Sequence, residues 1–236
     1  MSRVNHLIAL SIAFSCCHPS AEALPSNSAW VLEQENPYAP SGNWTMTLAN
    51  TGIKCADKNI NLIILPPAYN AFVTNSDTKQ FSSSTHAEWL QTFFHKSINE
   101  EKSSGKFLRE GKKTGQIAAF KVKQYFLCII ENGKEKLLRE VWVTNDIDFP
   151  EHYCKILFQL CNLPQGTGVP LRVSRLLRDG NREVVLNTVK ATKVTIDKST
   201  FRQPENYKKI RSATAVIFSD SKNNDLNDIL NTPIKP

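Results

Sequence analysis

The residues best suited to bind a metal ion are the histidines and cysteines, and their spacing fits no metal site. His86 and His95 lie nine positions apart on one predicted helix. At roughly 100° per residue they point about 180° apart, so one ion cannot bind both from one face. His152, Cys154 and Cys161 have a spacing that no common zinc pattern uses. We therefore expect no metal and no other cofactor.

Two short motifs resemble parts of a serine-enzyme site. Residues 103–106 read Ser-Ser-Gly-Lys and match Ser-x-x-Lys, and residues 113–115 read Lys-Thr-Gly. Both lie in one short segment, however, no long helix is predicted after the serine, and a Ser-Asp-Asn element is absent from the sequence. The sequence also contains no Gly-x-Ser-x-Gly, His-Glu-x-x-His or Cys-x-x-Cys motif. We therefore expect that the protein is not an enzyme.

The N-terminal residues have the three parts of a secretory signal peptide. Arg3 gives a positive start, residues 7–14 are apolar, and residues 21–23 read Ala-Glu-Ala, a cleavage site between small residues. The apolar run is far shorter than the roughly 20 residues that span a bilayer, so we predict a signal peptide at residues 1–23. A second interpretation is lipidation at Cys16 or Cys17, which would make an outer-envelope lipoprotein. Either way, we predict a periplasmic or secreted protein that does not span the membrane.

Four cysteines remain after the predicted cleavage, and an even number in an exported protein suggests disulfides. The candidates are Cys55, Cys128, Cys154 and Cys161. Cys154 and Cys161 lie about 10.5 Å apart if both are on the second predicted helix, which is too far for a bridge. Two complete pairings remain, in which either Cys154 or Cys161 joins Cys55 and the other joins Cys128. A single Cys55–Cys128 bridge, or four free thiols, is the other interpretation.

Most of the chain has the pattern of short β-strands joined by tight turns. Asn132 and Gly133 separate two extended runs and are typical of a hairpin turn with positive φ. Asp179 and Gly180 mark a second turn between two extended runs. From the whole pattern of extended runs and turns we predict nine to eleven strands. We predict a mainly β, curled antiparallel sheet that forms an incomplete barrel. Residues 99–114 are charged and contain glycine, so we predict a mobile loop there.

Two helices are predicted to cover or plug the concave side of this sheet. The first begins at a capping box formed by Thr85 and Glu88, and the second begins near Pro150. The first helix has an apolar face, which either packs on the sheet or forms a lid over an apolar groove. Its candidate ligand-binding residues are Trp89, Leu90, Phe93, Phe94 and Ile98.

Charge and composition set the remaining limits. Hydrophobic residues make up 41% of the chain, which suffices for one core, and we assign residues 24–218 to one domain. Residues 219–236 are polar and rich in Asn and Asp, so we predict a disordered tail. The net charge of +7 favours anionic partners such as lipid headgroups. No nucleic-acid-binding signature is present, so we expect no nucleic acid partner.

The order of several short motifs resembles the exported bacterial domains of the outer-membrane lipoprotein carrier (LolA/LolB-like) superfamily. The motifs are residues 30–32, 63–72, a helix with Trp89, and residues 115–122, 140–146, 168–173 and 201–207. The resemblance implies an incomplete β-barrel that holds a lipid, or the acyl chains of a lipoprotein, beneath its helices. The alternative is an envelope interaction or structural module of the same fold with a filled cavity.

Overall fold

The structure is a computed structural model that describes residues 28–37, 39–94 and 105–219. The predicted signal peptide, with Cys16 and Cys17, lies outside the described residues, as do His95, Ile98 and residues 220–236 of the predicted tail. The described part is mainly β, as the sequence predicts, and contains twelve strands and three short helices.

The twelve strands are short in the first half of the chain and longer in the second. They are β1 (Ser28–Glu35), β2 (Asn43–Ala49), β3 (Gly52–Asp57), β4 (Ile60–Leu65), β5 (Asn70–Asn75), β6 (Gln80–Ser84), β7 (Lys106–Ile117), β8 (Phe120–Glu131), β9 (Lys134–Thr144), β10 (Val169–Leu176), β11 (Arg182–Thr195) and β12 (Lys208–Lys209). The helices are α1 (His86–Phe94), α2 (Glu151–Leu160) and α3 (Ala213–Phe218), with a 3-10 turn at Lys198–Phe201.

All twelve strands form one sheet in the order β12-β6-β5-β4-β3-β2-β1-β11-β10-β9-β8-β7. Every pair is antiparallel except β12 with β6. Strands β2 to β6 are joined by consecutive hairpins, and β7 to β9 form a second run of hairpins. The two runs of hairpins are joined through β1, β11 and β10, because β1 pairs with both β2 and β11 and β10 pairs with both β11 and β9.

The turns follow from residues that accept unusual backbone angles. Asn132 and Gly133 have φ values of 53° and 72°, which confirms the predicted tight turn between β8 and β9. Asp179 and Gly180 lie between β10 and β11, where Gly180 has a φ of 84°. The bond between Pro66 and Pro67 is cis and lies in the β4–β5 turn.

The main core lies between the sheet and the first two helices. It joins side chains from β1 to β5 with side chains from α1, α2 and the strands β8 and β10; fully buried members include Leu32, Leu48, Ile53, Ile64, Trp89, Tyr153 and Leu171. A second core lies under the C-terminal end of α2, where Phe158 and Leu163 pack on Leu127, Val141, Val143, Val173 and Leu186. Helix α2 therefore contacts both cores.

Three sequence predictions need correction. Residues 106–114 are not a loop but the first part of β7, because residues 106–110 and 114 pair with β8 while the charged side chains of the segment remain exposed. The strand count exceeds the predicted nine to eleven through the two-residue strand β12. Helix α3 was not predicted, because six residues are too few to establish a helical pattern in the sequence.

The helices of the described residues are short. The longest, α2, has ten residues, and no helix in ranges 28–37, 39–94 or 105–219 combines the length and apolar character that a membrane span needs.

Candidate functional site

Helix α1 begins at the predicted capping box. The backbone N–H of Thr85 donates to Oε2 of Glu88 at 2.7 Å, and the Thr85 hydroxyl donates to the same oxygen at 3.0 Å. The backbone N–H of Glu88 donates in turn to Oγ1 of Thr85 at 3.4 Å. These bonds from Thr85 lower the pKa of the exposed Glu88 carboxyl. The box therefore fixes where α1 leaves β6.

Two of the predicted ligand-binding residues anchor α1 in the main core. Trp89 is fully buried, and its indole Nε1 donates to the backbone carbonyl of Tyr69 at 2.9 Å. Leu90 is also buried, in the same core. Phe94 ends the helix, and Ile98 lies outside the described residues. Whether these residues bind a ligand stays a prediction.

Phe93 has a different environment from Trp89 and Leu90. It is partly exposed and packs against two apolar clusters, the main core and a smaller cluster around Val73, Ala213 and Val216. Leu62 of β4 packs against the same two clusters. We call the surface formed by Leu62, Val73, Phe93 and Val216 the α1–α3 seam. It is the place where α1, the sheet and α3 meet.

Helix α3 is held to the sheet by a buried asparagine. The amide of Asn75 donates to the backbone carbonyls of Val216 and Ser219 at 3.2 and 3.0 Å, and lies 3.1 Å from the Ser219 hydroxyl. Asn75 has no exposed surface, so these bonds satisfy a polar side chain that water does not reach. A buried polar side chain of β5 therefore helps to hold one side of the seam.

Aromatic rings and imidazoles gather at the opposite end of α1. The Tyr69 ring lies 5.8 Å from His86, 6.1 Å from His152 and 5.9 Å from Tyr153, measured between ring centroids. His86 also stacks on Trp89 at 5.1 Å, and its Nε2 lies 3.0 Å from Oε1 of Gln159. Sequence analysis missed this cluster because Tyr69 lies in a turn, distant along the chain from both helices. Its contacts join α1 to α2.

The Tyr153 hydroxyl ties this cluster to the sheet. It donates to the backbone carbonyl of Asn50 at 3.3 Å, and Asn50 lies in the β2–β3 turn. Burial, together with the nearby Tyr69, raises the pKa of Tyr153, and burial also raises the pKa of Tyr69. Both phenols therefore stay protonated at neutral pH and act as donors or packing groups.

A buried polar group lies in the second half of the sheet. The Glu140 carboxylate is 2% exposed, accepts a short hydrogen bond from the Gln124 amide, and pairs with Arg182 at 3.0 Å. Gly111 of β7 packs so closely over Gln124 that a Cβ there would lie 2.5 Å from its Oε1. The arrangement satisfies a buried charge, and no reacting group accompanies it among the described residues.

The four cysteines are free thiols in the structure, so their pairing stays a prediction. The Cys154 thiol contacts the carbonyl of Phe149 at 3.7 Å, and the Cys128 thiol lies 3.4 Å from Oε1 of Glu135. Within the described ranges, no three His, Cys, Asp or Glu side chains come together as metal ligands would.

Comparison with known proteins gives similarity of fold alone. No protein-family model and no curated protein matches the chain. The solved structure of PNGF-II is 14% identical, with a TM-score of 0.44, over 79% of this chain and 32% of that chain. A chain of the Pseudomonas aeruginosa MucA/MucB complex is 8% identical, with a TM-score of 0.38, over 78% and 59%. A LolA superfamily protein from Nitrosomonas europaea is 9% identical, with a TM-score of 0.20, over 75% and 82%.

These similarities are distant. The chain spans only 32% of PNGF-II and 59% of the matched chain of the MucA/MucB complex. The protein is thus a mainly β protein with one mostly antiparallel sheet, distantly similar in fold to MucB and to LolA-type proteins.

Proposed function

We propose that the protein is an exported envelope protein that binds an apolar ligand, a lipid or the acyl chains of a lipoprotein, without catalysing a reaction. The proposed site is the α1–α3 seam at Phe93. Trp89, Leu90, Phe94 and Ile98 are the other residues that the sequence predicts to bind the ligand. A periplasmic or secreted location follows from the N-terminal sequence features. The similarity of fold to MucB and LolA-type proteins agrees with this proposal but does not carry it.

The observation that carries the proposal is the position of Phe93. Phe93 is partly exposed and packs against two apolar clusters at once, whereas Trp89 and Leu90 beside it are fully packed. An acyl chain that displaced the Phe93 ring would gain apolar contact on both sides, because burial of each CH₂ contributes about 0.8 kcal/mol. Trp89 would keep α1 attached through its bond to Tyr69. Binding would therefore need a side-chain movement and no unfolding of the helix.

The proposal includes a curled sheet, as in an incomplete barrel. Trp30 on β1 and Phe120 on β8 make ring contact at 5.0 Å, although β11, β10 and β9 lie between their strands. A flat sheet would separate β1 and β8 by about 19 Å, at roughly 4.8 Å per strand. The contact supports a sheet that bends around its helices.

A filled interior is the second candidate, in which the protein is an interaction or structural module of the envelope. The full burial of Trp89 and Leu90 favours this candidate, because the helix then fills the space that a ligand would need. The two candidates differ in one respect that can be measured. A binding protein takes up an apolar ligand at Phe93, whereas a filled module does not.

Titration with a fluorescent fatty acid tests the proposal. We expect saturable binding by the wild-type protein and weaker binding by Phe93→Asp, because a carboxylate in an apolar seam costs several kcal/mol when a chain covers it. Phe107→Asp is the matched control, since Phe107 is 36% exposed on β7, away from α1. Equal binding by both variants would contradict the site, and absence of wild-type binding would favour the filled module. Phe93→Leu keeps an apolar group and should retain binding, which separates the charge from a loss of fold.

A further inference from the structure

The structure reduces the number of disulfide pairs that the four cysteines can form. Cys154 lies in α2, and Cys161 follows the last residue of that helix. At 1.5 Å per residue their Cα atoms are about 10.5 Å apart, beyond the roughly 7 Å that a disulfide allows. The Cys128 thiol packs within β7–β9, against the carbonyl of Phe126 and beside the ion pair of Arg109 with Glu135. The Cys154 thiol contacts the carbonyl of Phe149 at 3.7 Å, and the cysteine whose electrostatic effect reaches Cys55 is Cys161. The pair that these contacts favour is therefore Cys55 and Cys161.

Helix α2 connects the β2–β3 turn, which is close to Cys55 in the chain, with the second core. Tyr153, near the start of α2, bonds to Asn50 in that turn, five residues before Cys55. The helix continues through Leu157 in the main core to Phe158 in the second core. Cys161 follows within one turn of Phe158 and packs against the second core.

Shared packing partners connect the surroundings of the two cysteines. Leu157, one helical turn before Cys161 and on the same face of α2, is buried in the main core that contains Cys55. Trp44 packs against this core and also against the second core, which Cys161 contacts. Met46 pairs with Cys55 across β2 and β3, so Trp44, two residues away on the same side, is the diagonal neighbour of Cys55. Trp44 therefore lies next to Cys55 and packs against the core that Cys161 contacts.

The electrostatics of the thiols agree with this placement. Burial, and then the nearby Cys161 thiol, raise the pKa of Cys55 to about 12. Burial also raises the pKa of Cys161 to about 12, although the Arg139 guanidinium acts in the opposite direction. Cys161 is partly exposed as a residue, yet enough protein surrounds its thiol to disfavour the thiolate. Both thiols therefore react slowly in the folded protein, because the thiolate is the nucleophile.

We propose that Cys55 and Cys161 form a disulfide during oxidative folding, and that this bond fastens the C-terminal end of α2 to β3. The oxidant is a small disulfide such as oxidised glutathione. One cysteine thiolate attacks it and releases one thiol, and the second cysteine then displaces the other half as a second thiol. The two protein thiols are oxidised, the oxidant is reduced to two thiols, and the two protons pass to the leaving thiolates. Cys128 and Cys154 stay reduced.

Peptide mapping of the full chain tests this proposal independently of ligand binding. The chain is unfolded, refolded with reduced and oxidised glutathione, alkylated and digested without reduction. We expect a Cys55–Cys161 linked peptide and a protein about 2 Da lighter than the reduced chain. Cys128→Ser and Cys154→Ser should keep this linkage, whereas Cys55→Ser and Cys161→Ser should lose it. A linkage that includes Cys128 or Cys154, or alkylation of both Cys55 and Cys161 after refolding, would overturn the proposal.

Discussion

The indole of Trp30 and the phenyl ring of Phe120 meet edge to face, with centroids 5.0 Å apart and ring planes at 75°. Their strands, β1 and β8, are separated by three other strands of the same sheet. The contact therefore joins positions that sheet pairing alone would keep apart. It supports the proposed curl and makes the Trp30–Phe120 pair the natural place to test it.

Replacement of Phe120 by alanine should lower the free energy of unfolding by about 3–5 kcal/mol, because the ring is 7% exposed and leaves a cavity. A double-mutant cycle with Trp30→Ala should give a coupling of about 0.5–1.5 kcal/mol, as expected for an aromatic pair in contact. Urea denaturation measures both quantities. Phe218→Ala is the control, since Phe218 is 74% exposed and should change stability by less than about 0.5 kcal/mol. Additive effects of Trp30→Ala and Phe120→Ala would contradict the contact.

The stability of the fold should depend on the ion pair between the buried Glu140 carboxylate and Arg182. In Arg182→Ala, the Gln124 amide is the remaining partner of Glu140. We expect the free energy of unfolding to fall by about 1–2 kcal/mol. The loss is no larger because half of the arginine side chain is exposed, where solvent weakens the ion pair. Lys190→Ala breaks an exposed ion pair with Glu33 and should cost at most about 1 kcal/mol. Chemical denaturation compares the two variants. Addition of Glu140→Gln to Arg182→Ala should recover stability, and equal losses for Arg182→Ala and Lys190→Ala would exclude this account.

Local signals in the sequence predicted the local structure. The turn at Asn132 and Gly133, the capping box at Thr85 and Glu88, and helix α2 are all confirmed, because each depends on residues close in the chain. The pairing of β1 with β11 was not predicted, since it joins strands about 150 residues apart through backbone groups that every sequence carries. Strand β7 was missed because an edge strand with exposed charged residues resembles a loop in composition.

The burial of the α1 side chains could be predicted only in part. The apolar pattern of α1 indicated a face that packs on the sheet or covers a groove, and Trp89 and Leu90 are buried. The difference between these residues and Phe93 arises from α3, which returns to the sheet more than 110 residues later and carries no clear helical pattern. Likewise, Tyr69 reaches α1 and α2 from a turn, and only the folded chain brings these residues together.

Asn75 should control how firmly α3 is held. Asn75→Ala removes the bonds to Val216 and Ser219 and leaves two buried carbonyls without this donor, so we expect faster amide exchange in residues 212–219. Hydrogen–deuterium exchange with peptide mass spectrometry measures this effect. Asn61→Ala is the matched control, because the Asn61 amide bonds to the Thr74 hydroxyl on a neighbouring pair of strands. Unchanged exchange in residues 212–219 of Asn75→Ala would show that apolar packing alone holds α3.

The capping box should make the stability of α1 depend on pH. The pKa of Glu88 is lowered by its bonds from Thr85, so its contribution is fully present above the ordinary carboxyl pKa and is lost as the pH falls through the lowered value. We therefore expect wild type and Glu88→Gln to differ most near pH 7 and to converge on acidification. Amide exchange of residues 86–94 at several pH values measures this difference. A difference in exchange between wild type and Glu88→Gln that grows as the pH falls would contradict the pH dependence derived from the capping box.

Native mass spectrometry of the protein purified after export, before and after extraction with organic solvent, tests the proposed function most directly. We predict that part of the protein carries an added mass of a lipid or acyl chain, that extraction removes it, and that Phe93→Asp carries less of it than Phe107→Asp. A single bare mass for the wild-type protein before extraction, together with no uptake of added lipid afterwards, would contradict apolar ligand binding at the α1–α3 seam.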